Sequence, residues 1–305
     1  MDNKISLVTF TDPMMGLSYE CEPIFRKLET HFAGKIEFHY VMSLLVRDVY
    51  EMIDPEDLRF GKEVAIKNYN ARLAEIYLAE ENLGGLPINM DGFQLFSVDE
   101  ISSAPLNIAY KAAQLVDAEK ADEFLYRLRY ATIVDCRPTT RLQEILKVVV
   151  KSGLDIKKFL AAYNDGSAEK NFQSDLQICR RLGIHYLPSY LIQYKDKGAL
   201  VQNLIDFETF AKIFSDLSGG EIKPVPPQKN IETLQDILKT HPLISHIELR
   251  EAFGFVDTAQ VRNFITPLID SGEIKIIDTG RGWFLGSVGK LNRQLRLSVS
   301  MTFIF

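Results

Sequence analysis

Apolar and polar residues alternate with two different periods along this chain, and the change of period separates strands from helices. Residues 4–10 alternate as a half-buried strand does, and Lys35–Leu45 is rich in aromatic and β-branched residues, which predicts a second strand. Between them, apolar residues recur at helical spacing from about Met15 to His31, and Gly34 is a stop signal. The chain therefore opens with a strand, a helix and a strand.

Helical periodicity then continues from about residue 55 to residue 182, interrupted only by Gly and Pro. Strand periodicity returns in Gly183–Tyr194 and in Ala199–Ile205, and a last helix is predicted over Phe207–Leu217. This pattern predicts an α/β domain with a large helical insertion. The helices predicted within the insertion are Glu63–Asn82, Pro105–Val116, Glu119–Val134, Thr140–Lys151, Asp155–Tyr163 and Ala168–Leu182.

A Gly/Pro-rich segment, GGEIKPVPPQK at 219–229, predicts a linker because it suits neither a helix nor a central strand. The order predicted over 230–290 is three helices and a hairpin, which resembles a winged helix-turn-helix. The tail at 291–305 alternates apolar and polar residues, and an edge strand, a swapped arm and a frayed end all remain open for it. The predicted helices are Ile231–His241, Ile247–Phe253 and Thr258–Ser271, and the hairpin strands are Glu273–Ile277 and Gly282–Leu285.

The first predicted strand runs into a motif that carries a family resemblance. Residues 5–23 read ISLVTFTDPMMGLSYECEP. This resembles the start of the DsbA-type thioredoxin-fold disulfide oxidoreductases, especially the FrnE-like branch, where the stretch looks like T-D-P-x-C-x-x-C-W-x-F-E-P. The resemblance extends over about residues 4–218, including the helical block 101–135. It implies a thioredoxin fold over 1–218, with an insertion at about 55–182, and it implies a cis bond at Leu187-Pro188.

The two cysteines of that family fall on Met15 and Ser18 of this chain. Disulfide exchange needs a thiolate, which a thioether cannot form and a hydroxyl does not form near neutral pH. We therefore expect a redox-inactive protein without a cofactor that binds a protein or peptide partner, as cytosolic members of the family do when they act as adaptors for protease complexes. Methionine suits adaptable binding surfaces. The residues expected to line the binding groove are Met14, Met15, Leu17, Ser18, Leu187 and Pro188.

Other interpretations of the same residues stay open. Met15 simply fills the old pocket if the site has decayed. An oxidoreductase-like or glutathione-linked isomerase or transferase would use Ser18 or Cys21, with glutathione as its cofactor. The kappa-type glutathione transferases and hydroxychromene-carboxylate isomerases share the insertion, but their active serine falls on Met15 here. We favour Ser18 as a hydrogen-bond partner at the helix start and Cys21 as a buried, inert thiol.

The winged-helix resemblance raises a third hypothesis, a transcription regulator, with Arg262 and Arg281 as candidate nucleic-acid contacts. Residues 229–290 contain seven Lys/Arg against eight Asp/Glu, a poor balance for binding phosphates. Pro267 also falls inside the helix that would enter a groove. We therefore expect DNA not to be a partner and favour a protein-interaction module.

Composition and charge narrow the classes of function that remain. The 305 residues carry a net charge of −6, which argues against a general polyanion binder. No apolar run reaches the length of a membrane span, and a strand that starts near Lys4 leaves no room for a signal peptide, so we expect a cytoplasmic protein. The resemblance to the DsbA family implies a bacterial source. The three cysteines form no CxxC pair and the five histidines are scattered, so we expect no metal site.

Overall fold

A four-stranded mixed sheet forms the centre of the first two thirds of the chain. Its order is β2-β1-β3-β4, in which β1 pairs parallel with β2 and antiparallel with β3, and β3 pairs antiparallel with β4. This topology confirms the predicted thioredoxin fold. The structure is a computed structural model that describes residues 3–288, so the tail at 291–305 lies outside the described residues. The strands are β1 Ile5–Thr11, β2 Ile36–Met42, β3 Ser189–Tyr194 and β4 Lys197–Gln202.

Helices cover both faces of this sheet, and those between β2 and β3 make up the predicted insertion. The helix expected over 15–31 divides at Cys21, because Pro23 has no N–H to donate to the carbonyl of Tyr19. Phe25 and Leu28 of the second piece pack on one face of the sheet. The helices are α1 Gly16–Glu20, α2 Glu22–His31, α3 Pro55–Leu58, α4 Lys62–Gly84, α5 Ala104–Val116, α6 Ala121–Ile133, α7 Leu142–Lys151, α8 Ile156–Asn164, α9 Ser167–Leu182 and α10 Phe207–Ser218.

A smaller region follows the segment 219–229, which contains neither helix nor strand. It carries a three-stranded antiparallel sheet in the order β5-β7-β6. Sequence reasoning missed the first of these strands because three residues are too short to show a period. The winged-helix assignment of this region stays a prediction. The elements are α11 Ile231–Thr240, β5 Leu243–Ser245, α12 His246–Phe253, α13 Thr258–Asp270, β6 Ile274–Asp278 and β7 Trp283–Ser287.

The C-terminal region packs against the thioredoxin fold. Helix α12 lies on α2, where the hydroxyl of Thr30 donates to the carbonyl of Ala252 at 3.0 Å. The ring of Phe284 stands on edge against that of Tyr130 of α6, with centroids 4.9 Å apart. Apolar residues of the C-terminal region belong to the same buried cluster as the insertion helices. The segment 219–229 therefore joins two parts that share a core.

Candidate functional site

The degenerate motif lies at one end of the central sheet, where β1 leads into α1. Phe10 pairs with Ser189 across β1 and β3, so the exit of β1 and the residue Pro188 lie at the same end of neighbouring strands. The Leu187-Pro188 bond is cis, which confirms the expectation drawn from the resemblance. The motif and the cis-proline loop thus lie where the thioredoxin fold brings them together.

A buried chain of hydrogen bonds runs through the two positions that lack sulfur nucleophiles. The hydroxyl of Ser18 donates to the sulfur of Met15 at 3.3 Å and accepts from the hydroxyl of Thr11 at 2.7 Å. Arg129 of α6 donates to Thr11 at 2.9 Å and to Glu22 at 2.7 Å. In the described part of the chain, no histidine or carboxylate contacts Ser18 to activate it. This geometry favours Ser18 as a hydrogen-bond partner.

Asp12 of the Thr-Asp-Pro sequence organises the loop around this site. Its buried carboxylate accepts from the N–H groups of Met14 at 3.0 Å and Leu45 at 2.8 Å. It also accepts from the side chains of Ser103 at 2.7 Å and Asn107 at 2.8 Å. Burial raises the pKa of Asp12 above its usual range, although the four hydrogen bonds oppose that effect. Asp12 therefore joins the turn after β1 to Leu45 and to the start of α5.

Helix α4 lies directly over the motif, which sequence reasoning did not predict. The hydroxyl of Tyr77 donates to the carbonyl of Met14. A side chain at Gly16 would collide with the carboxylate of Glu80 and would come within 2.5 Å of the Tyr77 ring. Glu20 of α1 accepts from the N–H of Gly84 at 2.9 Å, at the far end of α4. Glycine at 16 and 84 is the sequence signal for this close packing.

The predicted groove is filled rather than open. Met14 and Met15 are 1% and 5% exposed, and Ser18 and Pro188 are also buried. Leu17 and Leu187 are only half-buried. Tyr186 directly precedes Leu187 and is 67% exposed. Leu17 on α1 and Tyr186 and Leu187 before β3 therefore keep accessible surface on the two segments that meet at this end of the sheet, and we call these three residues the rim.

The three cysteines are free thiols in environments that disfavour the thiolate. Burial raises the pKa of Cys21 to about 12, and its sulfur lies 3.4 Å from the hydroxyl of Tyr190. Burial also raises the pKa of Cys136 to about 11 and raises that of Cys179. Because a nucleophilic cysteine needs a lowered pKa, this geometry favours Cys21 as an inert thiol.

A buried charge cluster joins α2 to the C-terminal region. Arg26 lies 3.3 Å from Glu22 and 3.4 Å from Glu248 of α12, and it also contacts Glu29 and His241. Burial opposes ionisation of Glu29, but Arg26 and His241 lower the pKa of its carboxyl to about 2. Burial raises the pKa of Glu248 to about 7 despite Arg26. Arg26 therefore links α2 to α12 through buried charged contacts.

The two candidate nucleic-acid contacts have different environments. The guanidinium of Arg281 binds both carboxylate oxygens of Glu81 on α4, with Nε 3.2 Å from Oε1. Arg262 is exposed on α13. Arg281 is therefore engaged within the chain, which weakens the case for a wing that contacts phosphates.

Within residues 3–288, no group of three or more His, Cys, Asp or Glu residues could hold a metal ion. No helix there is both long and apolar enough to cross a membrane.

Comparison with known proteins identifies one family, adapter proteins of similar sequence, and a solved structure of similar fold. The profile of the thioredoxin family matches residues 8–212. The chain is 21% identical over 261 residues to the ClpXP adapter protein SpxH of Halalkalibacterium halodurans, covering 84% of this chain and 80% of that protein. It is 22% identical over 230 residues to SpxH of Bacillus subtilis, covering 73% and 71%. A solved structure described as a protein disulfide isomerase from Nitrosomonas europaea has a TM-score of 0.58 at 14% identity, covering 72% of this chain and 99% of that one, which shows the fold alone.

Proposed function

Because this chain belongs to the thioredoxin family but has Met15 and Ser18 at the redox positions, we propose that it is a non-catalytic adaptor that delivers a client protein to a ClpXP-type protease. The observation that carries the proposal is the hydrogen-bond chain through these two residues. It keeps the architecture of the site while leaving no ionisable sulfur for exchange. The similarity to ClpXP adapter proteins over most of both chains supports the class of partner.

The client is proposed to dock on the rim formed by Leu17, Tyr186 and Leu187. Tyr186 supplies a large exposed ring with a polar tip, the side-chain type that concentrates binding energy at protein interfaces. Two buried methionines, Met14 and Met15, precede Leu17 in the chain and would add apolar surface if a client reached them. An extended client segment would cover these side chains and exclude water from them.

The first experiment measures binding of the purified full-length chain to ClpX by biolayer interferometry. We expect saturable binding that persists in the presence of a strong thiol reductant, because no disulfide takes part. Absence of binding at any accessible concentration would overturn the adaptor proposal.

The second experiment tests the rim in the cells that express the chain. Deletion of the chain should lengthen the half-lives of proteins that also persist when ClpX is removed. Replacement by Tyr186→Asp should reproduce the deletion, since a charge on the rim disfavours burial against a client. The matched control is Phe60→Asp, because Phe60 is an aromatic residue outside the rim that is 73% exposed. This variant should restore wild-type half-lives. Equal half-lives with the two variants would mean that the client binds outside the rim.

A further inference from the structure

Helix α4 has the features of a lid over the degenerate site. Glycines with positive φ bracket it, Gly61 at 96° before its first residue and Gly85 at 76° after its last. Such backbone conformations favour glycine and allow the chain direction to change there. The outward side of α4 carries exposed apolar residues, Ile76 and Leu83, so the helix is held mainly by the contacts beneath it.

The contact between α4 and α1 is tightly packed but incompletely hydrogen-bonded. Oε2 of Glu80 and Oε1 of Glu20 are buried, and neither atom has a hydrogen-bond partner among the described residues. A buried carboxylate oxygen without a donor lowers the free energy gained from closing such a contact. The last turns of α4 therefore gain less from this contact than a fully hydrogen-bonded one would give.

The turn between β6 and β7 supplies a further contact at the last turn of α4. Arg281 binds Glu81, the residue next to Glu80. The following residue, Gly282, packs so closely that a Cβ there would lie 2.6 Å from Cγ of Pro87. The turn thus contacts both the end of α4 and the segment that follows it.

We propose that the C-terminal region is a latch that holds α4 closed over Met14, Met15 and Gly16, and that opening the latch exposes these residues to the client. This inference rests on the proposed function, because it assigns regulation to the same site. The C-terminal region would set how far a client can reach Met14 and Met15, and a partner that engages the β6–β7 turn would increase client binding.

A cysteine placed at position 15 reports the state of the lid without any partner. In a Met15→Cys chain whose three native cysteines are replaced by alanine, the new thiol should react slowly with Ellman's reagent, because Met15 is almost fully buried. Adding Arg281→Ala should raise the labelling rate about fivefold, the effect expected for loss of a partly exposed ion pair. Glu81→Gln, which removes the same pair from the other side, should raise it similarly.

The matched control is Arg262→Ala in the Met15→Cys chain, which removes an exposed cation of the C-terminal region away from α4. It should leave the rate unchanged, and circular dichroism should show every variant folded. The latch is refuted if Arg281→Ala and Arg262→Ala give the same labelling rate. It is also refuted if the thiol at position 15 already reacts like a free thiol before either arginine is replaced. Since labelling needs no ClpX or client, either result leaves the adaptor proposal standing, and a failure of ClpX binding leaves the latch standing.

Discussion

Removal of Arg129 should be among the most damaging single changes to the site. Its guanidinium is fully buried and donates to Glu22 and Thr11, and through Thr11 it supports Ser18. Arg129→Met keeps most of the side-chain volume but leaves the buried carboxylate of Glu22 with only the longer contact to Arg26. The lost interaction therefore includes an uncompensated charge as well as two hydrogen bonds.

The expected magnitude follows from the burial of both partners. Breaking a buried pair by removing one partner costs about 3–5 kcal/mol. In a chain of 305 residues, each kcal/mol shifts the melting temperature by roughly 1.5–2 °C, so the midpoint should fall by about 5–10 °C. Adding Glu22→Gln should recover part of this loss, because it removes the charge that Arg129→Met leaves behind.

The assay is thermal unfolding followed by circular dichroism, with Arg59→Met as the matched control. Arg59 pairs with Glu56 at 2.9 Å, but both side chains are largely exposed, so its replacement should leave the midpoint unchanged within error. The reasoning is refuted if Arg129→Met lowers the midpoint no more than the control does, or if adding Glu22→Gln lowers the midpoint of the Arg129→Met chain further.

Three further outcomes follow from the same contacts. Gly84→Ala should destabilise the chain by about 1–3 kcal/mol in urea unfolding, because the added Cβ would collide with the backbone of Glu20. The control Gly198→Ala should be nearly neutral, because its Cβ would lie no closer than 3.5 Å to any neighbouring atom. Burial raises the pKa of Glu20 to about 8, so the folded state retains a proton that the unfolded state releases. The contribution of Glu20 to stability should therefore decline from about pH 4.5 to pH 8. In urea unfolding, the free energy of unfolding of Glu20→Gln should decline less steeply over this range than that of the wild type. Iodoacetamide at pH 8 should leave Cys21 unmodified in the folded chain by mass spectrometry, and rapid modification there would mean that its thiol is activated.

Local sequence was enough to predict the parts of the molecule that depend on short-range patterns. Alternation of residue types located β1, and a content of aromatic and β-branched residues located β2. The resemblance supplied the cis bond before Pro188 and the place of Met15 in the fold. These features follow from periodicity or from a motif of neighbouring residues. The division of the first helix at Cys21 was missed even though Pro23 is a visible cause.

The contacts that close the site join residues far apart in sequence. Arg129 is 107 residues from Glu22, and Arg281 is 200 residues from Glu81. In the sequence each of these looks like an ordinary surface charge, because nothing local distinguishes a buried arginine from an exposed one. The position of Arg129 on a helix otherwise rich in buried apolar residues was the one available signal.

The most direct test of the central claim, that this thioredoxin fold binds without thiol chemistry, is the affinity of a cysteine-free chain for ClpX. The variant carries Cys21→Ala, Cys136→Ala and Cys179→Ala, and its fold is checked by circular dichroism. If binding needs no thiol, its dissociation constant should equal that of the wild type within twofold. Loss of binding by the folded cysteine-free chain, while the wild type binds, would contradict the claim and assign a function to one of the three thiols.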